Sequence, residues 1–250
     1  MMARQDRKTD RIKPHQALFD ICENYRRWLS DASLNSFDKL MFDDIGTVIK
    51  KGYAREIRRI DACGKIVYLK RRTTPQSSRT SFEMYLQGMR AHTIPYIEYL
   101  HVKALQRSGF PAMKVIAAGE QRRYGFPGCG FILLDEVKGT PFDLLLKNAT
   151  DTEARDCLLR AYGRLLAKLH QHGFYAATRL KDLIATNQED QPLVLIDRET
   201  RYPYPRRRSK HKAKRTLKNS FRRITRELPS FDQDQQRIVM QAYDHYGEHE

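Results

Sequence analysis

The sequence predicts an α+β protein built from two lobes, because strand-like and helix-like segments are segregated along the chain. Short segments with the alternation of strands dominate up to Asp135, and a single long helical pattern interrupts them. After Thr152 the pattern is mostly helical, with only short strands. This order is typical of α+β folds. We therefore expect an N-terminal arm and helix over residues 1–34, a small β lobe over 35–137 and a mainly helical lobe over 138–250.

The composition indicates a folded protein with an anionic partner. The chain has 250 residues, 40% of them hydrophobic, which is enough for one large domain or two small lobes with a real core. It contains 13 Tyr and 11 Phe, so general disorder is not expected. The formal net charge of +16 implies binding to nucleic acid, a phosphorylated glycan, a nucleotide or an acidic membrane face. Charge alone does not choose among these partners.

Cysteine usage and hydropathy indicate a cytoplasmic protein. The four cysteines, Cys22, Cys63, Cys129 and Cys157, form neither a CxxC pair nor a zinc-ligand spacing. The charged segment 1–13 lacks the apolar centre of a signal peptide. No stretch approaches the roughly 20 apolar residues of a membrane span. A peripheral contact with the inner membrane face remains a further option.

The predicted β lobe contains short strands and one helix. Residues 1–14 are basic and polar and predict an arm, and the apolar spacing between His15 and Leu34 predicts an amphipathic helix. Alternation and turn residues predict the other elements of this lobe, which are strands at 45–49, 53–60, 66–71, 115–118 and 131–137 and a helix at 94–108 that closes at Gly109.

The predicted second lobe begins with a long amphipathic helix over 152–172, which ends at Gly173. An irregular stretch and a polar turn at Asn187–Gln191 lead to a buried strand at Leu193–Ile196, which Asp197 follows directly. The remaining residues are predicted to be mostly helical and very basic.

Three charged residues occur in the order that phosphoryl transfer from ATP requires. Catalysis of that reaction is mainly positioning and charge neutralisation. A lysine contacts the nucleotide phosphates, a glutamate on a helix fixes that lysine, and oxygen ligands hold Mg²⁺. The chain supplies Lys70 at the end of a strand, Glu98 on the following helix and Asp197 after an apolar run.

Two further segments complete this order. The buried strand before the expected hinge ends at Asp135, Glu136 and Val137, and these residues are predicted to lie at the nucleotide. Asp182 lies in the loop beyond the long helix and is a candidate for a catalytic residue or a second metal ligand.

These stretches resemble the lipopolysaccharide core kinase family, the bacterial Kdo and heptose kinases with their InaA-type relatives. The resemblance runs from about residue 45 to about residue 224. It rests on Ile-Val-Tyr-Leu-Lys-Arg around Lys70, Glu-Tyr-Leu-His-Val-Lys-Ala-Leu-Gln-Arg-Ser-Gly-Phe-Pro from Glu98, Leu-Ala-Lys-Leu-His-Gln-His-Gly-Phe around His170, and Leu-Ile-Asp-Arg-Glu-Thr-Arg around Asp197.

The resemblance implies a protein-kinase-like fold, with a small antiparallel β N-lobe and a mainly helical C-lobe. It implies phosphorylation of a sugar hydroxyl of the lipid A inner core with ATP. It also implies that Lys70 binds the nucleotide phosphates, that Glu98 pairs with Lys70 and that Asp197 is the metal-binding aspartate.

The loop after the long helix departs from the family pattern. Family members usually carry a catalytic aspartate a few residues after the helix-ending glycine, and Ala177 or Thr178 occupies that position here. Three interpretations follow: Asp182 serves as the base, Lys181 stabilises the transferring phosphoryl group, or the protein is a pseudokinase. The segment Ile45–Arg55 also lacks a GxGxxG loop, which the family tolerates.

A basic run over residues 206–218 holds eight Lys or Arg in thirteen positions. It is interpreted as a solvated helix face, as a site for an anionic glycolipid at the inner membrane face, or as a nucleic-acid site. Few aromatics interleave the run and no nucleic-acid-binding motif accompanies it, so the glycolipid is favoured.

The leading hypothesis is therefore a kinase that uses ATP and Mg²⁺ and acts on the lipopolysaccharide core or another anionic glycolipid. The alternatives are a pseudokinase that binds a partner or anionic lipid, and a basic nucleic-acid-binding protein.

Overall fold

A computed structural model describes residues 15–74, 90–123, 126–186, 193–198, 200 and 202–248, together with Phe82, Tyr85 and Leu86. Several sequence predictions lie outside these residues: the arm at 1–14, the polar turn at 187–191, and Glu199 and Arg201 of the last family-like stretch. The described residues form nine strands and seven α-helices.

The strands are β1 (His15–Ile21), β2 (Thr47–Lys51), β3 (Arg55–Ala62), β4 (Lys65–Arg72), β5 (Val115–Arg123), β6 (Phe126–Asp135), β7 (Thr140–Pro141), β8 (Leu183–Ala185) and β9 (Leu193–Leu195). The helices are α1 (Arg26–Asp31), α2 (Phe37–Phe42), α3 (Ile94–Arg107), α4 (Phe142–Asn148), α5 (Thr152–Gln171), α6 (Lys210–Glu227) and α7 (Gln233–Glu248). Short 3-10 turns cover Glu23–Tyr25 and Leu180–Asp182.

Six strands form one antiparallel sheet in the order β1-β5-β6-β4-β3-β2. Because successive side chains of a strand point to opposite faces, β6 buries Phe131 and Leu133 on one face and Ile132 and Leu134 on the other. The first face is covered by the segment that contains α1 and α2. The second face packs against α3.

The first strand differs from the sequence prediction. His15–Ile21 is strand β1, which pairs with β5, and is not the first half of a helix. Helical structure begins only with the turn at Glu23–Tyr25 and with α1. The reason is that β1 is apolar on both faces: Phe19 packs on the α1 and α2 side of the sheet, and Leu18 packs on the α3 side. Apolar residues at such positions satisfy a helical spacing and a doubly buried strand equally well.

Most of the other predicted elements are present, with errors of up to five residues at their ends. The short elements α2, α4, β7 and β8 were not predicted, because segments of this length carry little periodicity. The helix expected at 94–108 is α3, the helix expected at 152–172 is α5, and the strand expected at 66–71 is β4. The α+β class predicted from the sequence is confirmed. The lobe boundaries at residues 34 and 137 stay a prediction.

The helical part of the chain has its own core, in which α5 packs between the segment of β7, β8 and β9 and the helices α6 and α7. Strand β9 also attaches to the chain that leads into β5. Leu195 accepts a backbone hydrogen bond from Met113 and donates one to the carbonyl of Pro111. This attachment places the residues after β9 next to α3 and β4. Within the described ranges, none of the helices combines the length and apolarity that a membrane crossing needs.

Candidate active site

Lys70 lies on β4, on the face of the sheet that packs against α3. Val67, Leu69 and Arg71 of the same strand are buried on the opposite face, so alternation directs Lys70 toward the helix. Lys70 is paired with Ile132 of β6, and this register fixes the position of Lys70 along the strand.

Glu98 lies on the buried face of α3 and is 2% exposed. Pro95 occupies the first turn of this helix, where a missing N–H costs no hydrogen bond, and Gly109, with φ of +76°, follows its end. The Oε1 atom of Glu98 accepts a hydrogen bond from Nζ of Lys70 at 2.7 Å. The backbone N–H of Arg198 donates to the same carboxylate.

Asp197 follows β9 and joins this pair. Its Oδ1 atom accepts a hydrogen bond from Nζ of Lys70 at 3.1 Å. The residue before it, Ile196, donates its backbone N–H to the carbonyl of Asp182 at 2.9 Å. One ammonium group therefore connects a carboxylate of α3 with a carboxylate after β9. The family resemblance implied the pair with Glu98, whereas the contact with Asp197 was not predicted.

The charges of the three groups depend on one another. Burial alone would lower the pKa of Lys70, but Glu98 and Asp197 outweigh it and hold this pKa above its ordinary value. Burial would likewise raise the pKa of Asp197, yet Lys70, Arg179 and Arg55 hold it below its ordinary value. Asp197 is therefore an anion at neutral pH. Burial raises the pKa of Glu98, and Lys70 opposes that rise.

The loop after α5 places Thr178 and Arg179 beside this cluster. Thr178 is fully buried, and its Oγ1 atom accepts a hydrogen bond from Nη1 of Arg198 at 2.7 Å. Its carbonyl accepts a hydrogen bond from the hydroxyl of Tyr162 at 2.7 Å. Thr178 therefore cannot replace the carboxylate base that family members usually carry at this position, because its side chain is a buried hydroxyl.

Asp182 is 3% exposed and is held by Arg179. Its Oδ1 atom accepts from Nη2 of Arg179 at 2.7 Å, and its Oδ2 atom accepts from the backbone N–H of Arg179 at 3.0 Å. Burial raises the pKa of Asp182, and Arg179 opposes that rise. Nη2 of Arg179 also lies 3.5 Å from Oδ2 of Asp197, so this guanidinium bridges the two aspartates.

Lys181 forms its ion pair on another side of the loop. Its Nζ atom lies 2.8 Å from Oε1 of Glu227, the last residue of α6, and its side chain is about half exposed. The structure therefore places Lys181 at α6, and its predicted contact with a phosphoryl group stays a prediction.

The predicted hinge follows β6. The hydroxyl of Tyr25 donates to Oδ2 of Asp135 at 2.5 Å, and the hydroxyl of Tyr68 donates to Oε1 of Glu136 at 3.4 Å. The backbone N–H of Glu136 donates to the carbonyl of Ile66 at 3.3 Å. Each acidic side chain thus accepts a hydrogen bond from a tyrosine, and the predicted contact of Asp135, Glu136 and Val137 with a nucleotide stays a prediction.

No three His, Cys, Asp or Glu side chains of the described residues converge as a ready-made metal site. Asp197 and Asp182 are the two aspartates at this cluster, and the third carboxylate, Glu98, is paired with Lys70. Mg²⁺ is commonly held by one or two carboxylates, with phosphate oxygens and water completing its shell. The donor chemistry at Asp197 fits that pattern.

Arg179 and Arg198 are the site residues that the sequence analysis did not identify. Arg198 is 2% exposed, and its Nε and Nη2 atoms have no hydrogen-bond partner within the described ranges. The sequence gives no indication that this arginine is buried. For Arg179, the spacing of three residues to Asp182 was the available signal, since such a pair can close a single turn.

Comparisons with known proteins agree with this arrangement. The sequence model of the lipopolysaccharide kinase (Kdo/WaaP) family matches residues 50–243. Among solved structures, the chain is similar to WaaP in complex with acyl carrier protein, with 15% sequence identity, a TM-score of 0.53 and coverage of 92% of this chain and 99% of that chain. At this identity the likeness supports the fold alone.

Two further solved structures are more distant. The kinase domain of Mycobacterium tuberculosis PknI has 14% identity and a TM-score of 0.37, with coverage of 60% of this chain and 57% of that chain. WbdD bound to a kinase inhibitor has 17% identity and a TM-score of 0.43, with coverage of 79% and 44%. None of the curated proteins matches the sequence.

The family match spans most of the chain and includes Lys70, Glu98 and Asp197. The resemblance expected from the sequence is thereby confirmed, as is the protein-kinase-like fold. The chain belongs to the lipopolysaccharide kinase (Kdo/WaaP) family of phosphotransferases, and the kinase function expected from the sequence is confirmed at the level of the family.

Proposed function

We propose that this protein transfers the γ-phosphate of ATP, with Mg²⁺, to a sugar hydroxyl of the lipopolysaccharide inner core or a related anionic glycolipid. The observation that carries the proposal is the position of Lys70 Nζ, 2.7 Å from Glu98 and 3.1 Å from Asp197. A lysine fixed by a helical glutamate beside an ionised aspartate is the arrangement that phosphoryl transfer from ATP uses.

Each residue of the cluster has a proposed role. Lys70 neutralises charge on the nucleotide phosphates, and Glu98 keeps its ammonium group from turning toward solvent. Asp197 would hold Mg²⁺, which supplies charge neutralisation across the phosphates when bound. The backbone of Val137 would contact the base, because the side chains of Asp135 and Glu136 are engaged by tyrosines.

The hydrogen bonds that Asp182 accepts restrict its use as a base or as a metal ligand. Both of its oxygens accept hydrogen bonds from Arg179. A second contact with the metal would require Arg179 to move. The loose transition state of phosphoryl transfer puts little demand on a base, so turnover does not require a carboxylate at Thr178.

We place the anionic acceptor on helix α6. A groove of about 630 Å³ runs between α6 and α7. Its lining combines buried or half-buried apolar side chains with exposed cations; the former are Leu217, Phe221 and Met240, and the latter are Lys214, Lys218, Arg222 and Arg226. An amphiphile with an anionic head group matches both components.

Helix α6 also lies directly against the catalytic loop. Ser220 accepts a hydrogen bond from the backbone N–H of Thr178 at 3.2 Å, and Thr216 donates to the carbonyl of Tyr175 at 3.2 Å. Glu227 at its end contacts Lys181. Helix α6 is thus a direct neighbour of the catalytic loop, and the groove residues Lys218 and Phe221 project from another face of this helix than Thr216 and Ser220.

The central experiment measures transfer of labelled phosphate from ATP to purified lipopolysaccharide core, prepared from a strain that lacks this gene. Wild-type protein is compared with Asp197→Asn and with Asp61→Asn, an exposed aspartate of β3. We expect transfer by the wild type and by the Asp61 variant, and a loss of at least roughly a thousandfold for Asp197→Asn. Absence of transfer by wild-type protein, together with absence of ATP-dependent thermal stabilisation, would contradict the proposal.

The acceptor site has a separate test. Replacing Lys214, Lys218, Arg222 and Arg226 by Gln should raise the KM for lipopolysaccharide and leave the KM for ATP unchanged. The matched control replaces four exposed arginines elsewhere, namely Arg27, Arg107, Arg160 and Arg164. An equal rise of KM in both variants would indicate a general charge effect and would refute a specific groove.

A second candidate function is a pseudokinase that binds a partner or anionic lipid. The observation that favours it is the engagement of both aspartates by Arg179, combined with Thr178 at the usual position of the base. It predicts a stably folded protein that binds nucleotide poorly or not at all and transfers no phosphate, and lipopolysaccharide binding that is unchanged in Asp197→Asn.

A further inference from the structure

We propose that Arg179 is a catalytic residue that contacts the transferred phosphoryl group, and that Asp182 is the positioning residue that orients its guanidinium. The inference rests on the proposed function and deepens it. It assigns a role to the residue that directly follows Thr178, in the loop where the family pattern fails.

The first step concerns Asp182, whose oxygens are occupied. Nε of Arg179 lies 3.0 Å from each oxygen, Nη2 lies 2.7 Å from Oδ1, and the backbone N–H lies 3.0 Å from Oδ2. A carboxylate whose two oxygens both accept hydrogen bonds from one arginine is poorly suited to bind a metal ion. It is well suited to fix the plane of a guanidinium, because two parallel contacts define its orientation.

The second step concerns the direction in which Arg179 reaches. From Asp182, its Nη2 atom extends to within 3.5 Å of Oδ2 of Asp197. Lys70 holds the other oxygen of Asp197 at 3.1 Å. The proposed metal carboxylate thus lies between a cation from the β sheet and a cation from the catalytic loop, and an anionic phosphoryl group beside it would meet both.

The third step concerns the capacity of Arg179 for a further partner. Its side chain is 25% exposed, and its Nη1 atom lies 3.7 Å from Oε1 of Glu227, beyond hydrogen-bond distance. A guanidinium carries five N–H donors in one plane and matches the oxygens of a phosphoryl group. A purely structural arginine in this loop would need its contacts to Asp182 but not the extension to Asp197.

The chemistry follows from where charge develops. In the transfer, the acceptor oxygen forms a bond to the γ-phosphorus, and the bond from phosphorus to the β,γ-bridging oxygen breaks with its electron pair kept by ADP. The acceptor proton passes to an oxygen of the transferred group and then to water. Arg179 stays protonated and donates hydrogen bonds to the equatorial oxygens, which carry much of the transition-state charge.

The experiment compares wild-type protein with Arg179→Ala, Arg179→Lys and Asp182→Asn. The control is Arg237→Ala, which removes an exposed arginine that also pairs with an aspartate three residues away. Steady-state transfer gives kcat and the KM for ATP, with and without guanidinium ion in the buffer. Calorimetry measures binding of ADP and Mg²⁺, with and without aluminium fluoride as a mimic of the transferring group.

We expect Arg179→Ala to lower kcat by roughly 100- to 1,000-fold while the KM for ATP changes by less than about threefold. Guanidinium ion should restore part of the activity of Arg179→Ala and none of the activity of Asp182→Asn, in which the arginine is present but less well oriented. Aluminium fluoride should tighten ADP binding to the wild type and not to Arg179→Ala. Arg179→Lys should keep the charge yet remain well below the wild type.

Two results would overturn this inference and leave the proposed kinase function standing. One is active wild-type protein with an unchanged kcat in Arg179→Ala. The other is a loss of activity that matches a loss of folded protein and that guanidinium ion does not repair. If the wild type binds ADP but neither transfers phosphate nor responds to aluminium fluoride, the proposed function fails together with the inference.

Discussion

Lys70 and Asp197 are 127 positions apart in the sequence, and the Nζ atom of one lies 3.1 Å from a carboxylate oxygen of the other. This contact joins the antiparallel sheet to the chain beyond β9. Glu98 holds the same ammonium group at 2.7 Å from the side of α3. Any change in one member of the three therefore alters the charge balance of the other two.

Replacing Glu98 by Gln should weaken nucleotide binding. Without this carboxylate Lys70 has Asp197 as its remaining charged partner, so it competes more strongly with Mg²⁺ for Asp197 and is less available to the phosphates. A charged hydrogen bond contributes about 1.5–3 kcal/mol, which corresponds to roughly a 10- to 100-fold loss of affinity. Calorimetry with a non-hydrolysable ATP analogue and Mg²⁺ measures the change. The control is Glu153→Gln, at an exposed position in the first turn of α5, and an unaltered affinity of the Glu98 variant would refute the role of the glutamate.

Replacing Thr178 by Val should destabilise the protein. The Thr178 hydroxyl accepts a hydrogen bond from the buried guanidinium of Arg198, which already has two donor atoms without partners within the described ranges. Leaving one more buried donor unsatisfied costs about 1–3 kcal/mol, and more for a charged group. Thr178→Ser keeps the hydroxyl and should stay within about 1 kcal/mol of the wild type. Denaturant unfolding of both variants provides the comparison, and equal stabilities would show that this hydrogen bond contributes little.

The stability of the protein should fall at mildly acidic pH. Burial, with a contribution from Arg198, lowers the pKa of His101 to about 3 and that of His170 to about 4. The unfolded chain binds protons at these histidines below about pH 6.5, whereas the folded chain does not. The unfolded state therefore binds more protons, and the free energy of unfolding decreases as the pH falls from about 6.5 toward 4, by at most about 1.4 kcal/mol per pH unit for each histidine.

Thermal unfolding between pH 4 and pH 8 tests this pH dependence, together with the variants His170→Gln and His211→Gln. The first variant should flatten the curve. The second, at an exposed position of α6, should leave the curve as it is. A wild-type stability that is constant over this range would contradict the assignment of two neutral buried histidines.

Replacing Gly173 by Ala should disturb the start of the catalytic loop. Gly173 has φ of +80°, and a Cβ atom there would lie 2.0 Å from the carbonyl oxygen of Arg206. Gly64 provides a matched control, because its φ is +74° and a Cβ atom would have nothing within 4 Å. Gly64→Ala should therefore show only the backbone strain of about 1 kcal/mol, and Gly173→Ala clearly more. Equal losses of melting temperature would show that the backbone near Arg206 can move to accommodate the added methyl group without a further loss of stability.

The sequence was sufficient for the long elements from β2 to α5 and for the three members of the central cluster, but not for β1 or for the short elements α2, α4, β7 and β8. Lys70, Glu98 and Asp197 each stand at the end or on the face of a clearly patterned element, so their order along the chain identified the site. Arg179 and Arg198 could not be found in this way. Their contacts depend on a single turn at Leu180–Asp182 and on the burial of an arginine after a strand, and neither leaves a periodic pattern.

The segment before α1 shows the same limit. Its apolar residues suit a helix, and only the presence of an unpaired edge at β5 selects a strand. Pairing with β5 is a long-range interaction, and a local pattern does not report it. A similar reason explains Asp182, because a loop aspartate has no periodicity that would show which cation it meets.

Strand β1 and Tyr25 belong to the folded kinase-like unit, although both precede the region that the family model matches. The family match begins at residue 50, yet β1 covers the edge of β5, and the hydroxyl of Tyr25 bonds Asp135 at the end of β6. A protein cut to the matched region would expose the backbone of β5 from Ala117 to Arg123, and an open edge of that kind invites strand addition by another molecule. Loss of solubility after such trimming would thus reflect a removed sheet neighbour and not a defect of the nucleotide site.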